Sequence, residues 1–145
     1  MVDPKRQEEL RSAIEQLYFA YRGFTDQADR ILERRGLGRV HHRILYFIGR
    51  RPDVSVRGLL DLLAVSKQAL NAPLRQLLEM NLVSAVSDPD DRRMKNLRLT
   101  PDGQRLEAEL TGAQMRLLQS AFERAGLAEE AGWRTVMGLL AGGGI

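Results

Sequence analysis

Residues 59–81, "LLDLLAVSKQALNAPLRQLLEMN", contain two short amphipathic segments that are joined by a tight turn. The turn falls at Ala64 and Val65, and Ser66 is an N-cap residue at the start of the second segment. In that segment the apolar residues, Leu70, Leu74, Leu77 and Leu78, share one helix face, and the polar donors, Lys67, Gln68, Asn71 and Arg75, share the other. The pattern predicts a helix-turn-helix with one packed face and one donor-rich face.

The donor-rich face has the residue types that read bases in a major groove. Arg and Lys can hydrogen-bond guanine, and Asn and Gln can form two hydrogen bonds with adenine. Many surface helices are polar without reading bases, but the position after a short helix and a tight turn favours nucleic-acid readout. Pro73 lies inside the second helix, where we expect it to cause a kink that limits the reach of Arg75.

The next stretch, residues 82–106, reads "LVSAVSDPDDRRMKNLRLTPDGQRL" and places a charged turn between two strand-like runs. A calcium loop starting at Asp88 would need an acidic or neutral ligand at its fifth position and Glu at its twelfth, whereas the chain has Arg92 and Leu99 there. Carboxylate catalysis needs a walled pocket, which a hairpin tip does not provide. The stretch therefore predicts a hairpin whose tip presents arginines, with no metal site and no catalytic site.

The flanking sequence predicts helices. Apolar residues recur every three or four positions from Asp3 to about residue 35, with Pro4 at the first helical position. Further helices are expected over residues 39–49, 57–64, 101–124 and from residue 127 onward, with a short strand over residues 54–56. Thr100 is the expected N-cap of the helix that follows the hairpin. The first and last helices have more apolar surface than the small middle unit can cover, which predicts a partner chain; the alternative is that they fold back onto the middle unit.

Composition excludes several classes of protein. The chain has 145 residues, 43% hydrophobic and 28% charged, which is typical of one globular domain. It has no cysteine, so disulfides and thiolate metal sites are excluded and a reducing cytoplasm is expected. No signal peptide and no membrane-spanning run is recognisable. An enzyme is also disfavoured, because the chain has only two histidines and neither a nucleophile beside a base nor a glycine-rich phosphate loop. No cofactor is expected.

Positive charge is concentrated in the middle of the chain. The net charge is +3, yet residues 30–57 contain eight arginines against one glutamate and one aspartate. Residues 1–29 and residues 101–145 each have four basic and six acidic side chains. This distribution favours a polyanion as the partner of the middle region, although a solvated face could produce it by chance.

The order of these elements resembles that of MarR-type winged helix-turn-helix transcription regulators. The motif "DPDDRR" followed by "LRLTPDG" is similar to the family's wing, and "VSKQALNAPLRQL" is similar to its recognition helix. The resemblance covers nearly the whole chain. It implies a mainly α fold with a small β-hairpin wing in a single domain over residues 1–145. Residues 1–35 and 101–145 would be dimerisation helices, and residues 39–100 would be the winged helix-turn-helix region.

The resemblance also implies roles for individual residues. Asp88 and Asp91 would brace the wing, and either Arg92 or Arg93 would enter the minor groove, where A/T-rich DNA concentrates negative potential. Ser66 and the backbone around it would hold a phosphate, and Arg57 and Lys95 would add phosphate contacts. The expected DNA contacts are Arg57, Ser66, Lys67, Gln68, Asn71, Arg75, Arg92, Arg93 and Lys95.

Members of this family commonly respond to small phenolic or carboxylated ligands. The candidate ligand contacts on the first two helices are Tyr18, Tyr21, Arg22, His41, His42 and Tyr46; the alternative is that these side chains are ordinary core residues. The predicted function is a homodimeric regulator that binds a palindromic operator in double-stranded DNA and acts as a repressor released by a small aromatic carboxylate. The alternative is an architectural or RNA-binding winged helix without an effector.

Overall fold

The computed structural model describes residues 2–142, and its order of elements matches the predicted one. The chain forms six helices and one small antiparallel sheet in the strand order β1-β3-β2. The elements are α1 (Pro4–Glu33), α2 (Arg39–Arg50), β1 (Val54–Ser55), α3 (Val56–Leu63), α4 (Lys67–Glu79), β2 (Val83–Ser87), β3 (Lys95–Leu99), α5 (Pro101–Ala125) and α6 (Leu127–Leu140). The prediction of a mainly α fold with a β wing is confirmed.

The wing is a three-stranded sheet rather than an isolated hairpin. β2 and β3 pair from Val83 with Leu99 to Ser87 with Lys95. β1, which consists of Val54 and Ser55, adds a third strand, and its Val54 pairs with Leu97. The third residue of the predicted strand, Val56, instead begins α3, because the Ser55 hydroxyl accepts a hydrogen bond from the Gly58 N–H and caps that helix.

Side-chain caps fix where three more helices start. Asp3 accepts from the Arg6 N–H at 2.9 Å, Ser66 from the Ala69 N–H at 3.1 Å and Thr100 from the Gly103 N–H at 3.0 Å. Each cap satisfies one of the helix-terminal donors that have no partner within the helix. These helix starts were predicted correctly because a cap depends only on residues within one turn.

Helix α2 lies at the centre of the core and positions α3 and α4. Its side chains Ile44, Leu45 and Ile48 are fully buried. They belong to one apolar cluster that also includes Leu59 from α3 and Leu77 from α4. Burying a leucine of this kind stabilises the fold by about 1.5 to 3 kcal/mol, so α3 and α4 are held rigidly on α2.

A close backbone approach joins the wing to α5. A Cβ atom on Gly103 would lie 1.9 Å from the Leu82 carbonyl oxygen, so no other residue fits at that position. The Thr100 hydroxyl also donates to the Asn81 carbonyl oxygen at 2.7 Å. The glycine of the "LTPDG" motif is therefore required for the wing to pack against α5.

The two terminal helices leave much of their apolar surface uncovered. All of α1 from residue 4 to residue 23 is exposed, and α6 has no buried residue. Within residues 2–142, no helix combines the length and apolar character that crossing a membrane requires.

Candidate nucleic-acid interface and ligand cavity

Helix α4 presents the predicted donor face to solvent. The side chains of Lys67, Gln68, Asn71 and Arg75 are all exposed, while Leu70, Leu74 and Leu77 on the opposite face are buried. Helix α4 also runs as a single element through Pro73. The missing N–H of Pro73 leaves the Ala69 carbonyl without its helical partner, but it does not end the helix before Arg75.

The start of α4 is arranged to accept an anion. The Ser66 oxygen accepts the capping bond from the Ala69 N–H, so its hydroxyl hydrogen is available as a donor. Further backbone N–H groups of the first turn lie beside it, at the positive end of the helix dipole. These donors suit a phosphate group.

The wing tip is ordered by its carboxylates. Asp88 accepts from the Asp90 and Asp91 backbone N–H groups at 2.8 and 3.1 Å, and from the Asn96 side-chain amide at 3.1 Å. These hydrogen bonds, that from Asp90 foremost, hold the pKa of Asp88 below its ordinary value. Asp91 accepts from the Arg93 backbone N–H at 3.0 Å. Both aspartates therefore fold the tip back on itself.

The basic side chains of the wing are exposed to solvent. The Arg93 side chain is 93% exposed and makes a long contact of 3.4 Å between its Nε and Asp91 Oδ1. Lys95 Nζ donates to the Ser87 hydroxyl at 3.0 Å, and Arg92 is exposed. Exposed contacts of this kind contribute little to stability, so these side chains can exchange them for another partner at little cost.

Four of the predicted DNA contacts line one concave surface, which we call the basic groove. It is about 730 Å³ in volume and lies between α3, the start of α4 and the wing. Its residues are Arg57, Lys67, Arg93 and Lys95, together with Ser55, Val56, Leu60, Asp61 and Met94. The other predicted contacts, Ser66, Gln68, Asn71, Arg75 and Arg92, lie outside its lining. Asp61 was not predicted as a site residue.

An ion pair that the sequence did not reveal fixes the base of the wing. The Arg98 guanidinium donates two hydrogen bonds to the Asp53 carboxylate, at 2.6 and 2.8 Å. The side-chain hydrogen bond from Arg98 lowers the pKa of Asp53. Because Asp53 directly precedes β1 and Arg98 lies on β3, the pair connects the start of the helix-turn-helix to the wing.

A second concave site lies between α1, α2 and α5, and we call it the junction cavity. It has a volume of about 300 Å³. It is lined by Tyr21, Phe24, Thr25 and Asp29 from α1, by Arg39, His42, Arg43, Tyr46 and Phe47 from α2, and by Thr111, Gln114, Met115 and Leu118 from α5. Aromatic and apolar walls with a few polar groups are typical of small-molecule sites.

Only three of the six predicted ligand contacts line the junction cavity: Tyr21, His42 and Tyr46. Tyr18 and Arg22 lie on the exposed half of α1, where the Arg22 guanidinium carbon is 5.8 Å from the centre of the Tyr18 ring. His41 is turned towards α4. It accepts from the Gly38 N–H at 3.0 Å, and its Nε2 is 2.9 Å from the Gln76 side-chain oxygen. Neighbouring residues on a helix point about 100° apart, which separates His41 from His42.

His42 is a neutral polar wall of the cavity rather than a cation. Burial lowers its pKa from an ordinary value of 6.5, so it carries no charge near pH 7. Its Nε2 lies 3.1 Å from the Thr111 hydroxyl, and that hydroxyl donates to Glu107. Because Thr111 uses its hydrogen on Glu107, it accepts from His42, which places the His42 proton on Nε2.

The cations of the junction cavity are Arg39 and Arg43, neither of which was predicted. Arg39 is paired with Asp29 through Nε and a terminal nitrogen, which lies 2.9 Å from Asp29 Oδ2. Arg43 donates to the Tyr21 hydroxyl at 3.0 Å. Both arginines lie on α2, which a loop joins to α1. Their contacts with Tyr21 and Asp29 therefore depend on how α2 packs on α1.

Comparisons with known proteins agree with this architecture. The sequence profile of the MarR family matches residues 35–94. The HTH-type transcriptional regulator PetP of Rhodobacter capsulatus is 44% identical over 130 residues, which cover 90% of this chain and 78% of PetP.

Solved structures show the same fold. The Staphylococcus aureus MepR–DNA complex gives a TM-score of 0.71 at 17% identity, over 88% of this chain and 95% of that one. Staphylococcus aureus MarR in complex with salicylate and kanamycin also gives 0.71, at 20% identity, over 94% of this chain and 91% of that one. With its helix-turn-helix, its wing and its PetP-like sequence, the chain belongs to the MarR family of DNA-binding transcriptional regulators, which are not enzymes.

Proposed function

We propose that this regulator is a homodimeric repressor that binds a palindromic operator and is released by a small aromatic carboxylate. The observation that carries the proposal is the position of the junction cavity. It lies where α1 and α5, which we assign to the dimer, meet α2, on which the DNA-reading helices pack. In a dimer, a ligand at such a joint can change the spacing between the two winged helix-turn-helix regions, residues 39–100 of each chain, which we call the reading heads.

The uncovered apolar surface of the terminal helices supports a homodimer. Ile14 on α1 is 66% exposed, and Leu127 and Leu139 on α6 are 88% and 70% exposed. Apolar surface is unfavourable in water by about 25 cal/mol per Å², so exposed apolar side chains on both terminal helices favour association. We therefore assign residues 1–35 and 101–145 to dimerisation and residues 39–100 to DNA binding. A two-fold dimer has two equivalent heads, which accounts for a palindromic operator.

The two DNA-facing surfaces have different proposed tasks. Gln68 and Asn71, on the exposed face of α4, read bases in the major groove, and Lys67 and Arg75 lie beside them. Ser66, Arg57 and Lys95 hold phosphates, and Arg92 or Arg93 enters the minor groove. Asp88 and Asp91 keep the wing tip in shape through the hydrogen bonds described above.

Replacing Asn71 by Ala tests the proposed base readout. We expect a loss of about 1 to 3 kcal/mol on the operator and a smaller loss on random duplex, because a base contact contributes only where its partner base is present. Asn71 is exposed, so the variant should fold normally. Fluorescence anisotropy with both duplexes at one salt concentration measures the difference. Equal losses on the two duplexes would remove Asn71 from base readout.

The junction cavity determines which ligand we propose. Arg43 and Arg39 offer positive charge, while Tyr21, Tyr46 and Phe47 offer aromatic walls. Arg39 is already paired with Asp29, so Arg43 is the cation that an incoming carboxylate can reach without breaking an ion pair. This set fits a compact benzoate-like acid. A MarR structure that contains salicylate gives independent support for this chemical class.

Titration of salicylate tests the regulatory part of the proposal. A ligand lowers operator affinity only if it binds the DNA-incompetent form more tightly, and the operator must then weaken ligand binding by the same factor. We expect salicylate to bind the free protein about 5- to 150-fold more tightly than the operator complex in calorimetry. In a transcription reaction from an operator-bearing promoter, the protein should inhibit synthesis and salicylate should restore it.

Two arginine variants locate the ligand. Arg43→Gln is expected to weaken salicylate binding because it removes the cation of the cavity wall. Arg22→Ala is the matched control, since it removes a guanidinium from the exposed part of α1 outside the cavity.

Equal salicylate affinity in the free and operator-bound states would reject release by this compound. Normal binding by the Arg43 variant would reject the assigned position.

A further inference from the structure

The basic groove contains an acidic residue that has no evident structural task. Asp61 is exposed on α3 and lines the groove together with Arg57, Lys67, Arg93 and Lys95. Among residues 2–142 it forms no ion pair, although Arg57 is four positions before it on the same helix. It is the one acidic side chain in the described lining of the groove. Asp61 thus borders the same space as the four cations.

A carboxylate in this place opposes the binding of any polyanion to the groove. DNA has about one negative charge per 1.7 Å of duplex, so phosphates that approach the four cations also approach Asp61. The first helix of a helix-turn-helix crosses the DNA backbone rather than entering the major groove, which directs Asp61 towards phosphates. The repulsion affects non-specific complexes most, because these are held almost entirely by electrostatic attraction.

We propose that Asp61 is a specificity-determining residue that acts by repulsion. In the operator complex, base contacts from α4 fix a single docking position, in which the phosphates keep clear of the Asp61 carboxylate. On random DNA the heads take many docking positions, and Asp61 destabilises those that place a phosphate deep in the basic groove. An unfavourable contact against the wrong partner is a recognised source of specificity.

The test compares wild type with Asp61→Asn, which keeps the shape of the side chain and removes its charge. The specific probe is a 30-bp duplex selected by the wild-type protein from a random library, and the non-specific probe is the same duplex with its sequence scrambled. We expect the variant to bind the scrambled duplex about three- to tenfold more tightly per head, as a contact of one carboxylate with one phosphate predicts. Binding to the selected duplex should change by less than about twofold, so the specificity ratio falls.

Two further variants serve as matched controls. Asp61→Glu keeps the charge and should keep the specificity ratio. Glu109→Gln removes one negative charge from an exposed position on α5, outside the lining of the basic groove, and should leave both affinities unchanged. Thermal unfolding of all variants checks that each is folded.

Three results would overturn the proposal. Equal tightening on both duplexes would mean that Asp61 lowers affinity without discriminating between sequences. No change on either duplex would mean that Asp61 does not approach DNA. Weaker binding of Asp61→Asn to the selected duplex alone would mean that Asp61 makes an attractive contact there.

Discussion

A chain that ends at Gly126 is expected to be monomeric and to have lost operator affinity by a factor of about 10² to 10⁴. The deletion removes α6, whose apolar side chains Leu127, Val136, Leu139 and Leu140 are all more than half exposed in the single chain. Without these side chains the two heads are no longer linked, so each half-site must bind a separate monomer. Light scattering measures the mass, and anisotropy with a two-half-site operator measures the affinity.

A second variant distinguishes lost dimerisation from lost folding. Val136→Glu combined with Leu139→Glu keeps α6 but places two charges on the proposed interface, and we expect the same monomeric state and the same loss of affinity. Glu129→Gln, at an exposed position in the first turn of α6, is the control and should remain dimeric. A truncated chain that stays dimeric would show that α6 is not required for the dimer.

Replacing both Arg92 and Arg93 by Ala should weaken operator binding about ten- to hundredfold at physiological salt. The slope of log affinity against log salt concentration should also become less steep by about one to two units per head. The reason is that each phosphate contact that is lost lowers the number of counterions released on binding by about one. Both arginines are exposed on the folded wing tip, so the fold should be unaffected. Titrations at four or more salt concentrations give the slope.

The control for the wing variant removes the same charge elsewhere. Arg116→Ala with Arg124→Ala takes two exposed cations from α5, and the salt slope should then stay close to that of the wild type. If the wing variant also keeps the wild-type slope, the wing tip does not contact DNA.

The features that the sequence predicted well depend on neighbouring residues. Ser66 and Thr100 cap helices through donors three residues ahead, and the exposed face of α4 follows directly from the helical repeat. The wing tip is also ordered by local hydrogen bonds, since Asp88 and Asp91 bond within "DPDDRR" or to the adjacent strand, but it was the family resemblance that implied roles for these two residues.

The features that the sequence did not predict depend on packing between distant residues. Arg98 pairs with Asp53 across 45 positions, and Arg39 pairs with Asp29 across the loop between α1 and α2. The sequence makes Arg22 a candidate ligand contact because periodicity cannot show which part of α1 is packed; residues 4–23 are exposed, and only the later part of the helix has buried residues. The four-residue spacing of Tyr21, Thr25 and Asp29, which share one helix face, could have indicated the cavity wall.

The position of Asp61 among basic residues also depends on packing between distant residues. On α3 alone, Asp61 is an ordinary exposed acid four positions after Arg57. Only the packing of α3 against the start of α4 and the wing brings Lys67, Arg93 and Lys95 to the same groove. The basic residues of the sequence therefore predict these cations as DNA contacts, but nothing in the sequence alone singles out Asp61 beside them.

We propose that two copies of this chain read one palindromic sequence through α4. The most direct test of this proposal is an anisotropy titration, at physiological salt, of the selected duplex against its scrambled counterpart and against a duplex with a single half-site, with the stoichiometry read at saturating protein. We predict two chains per selected duplex, an affinity at least about 10³-fold above that for scrambled DNA, and much weaker binding to the single half-site. Equal affinity for selected and scrambled duplexes would rule out sequence-specific reading by α4 and favour an architectural DNA-binding protein.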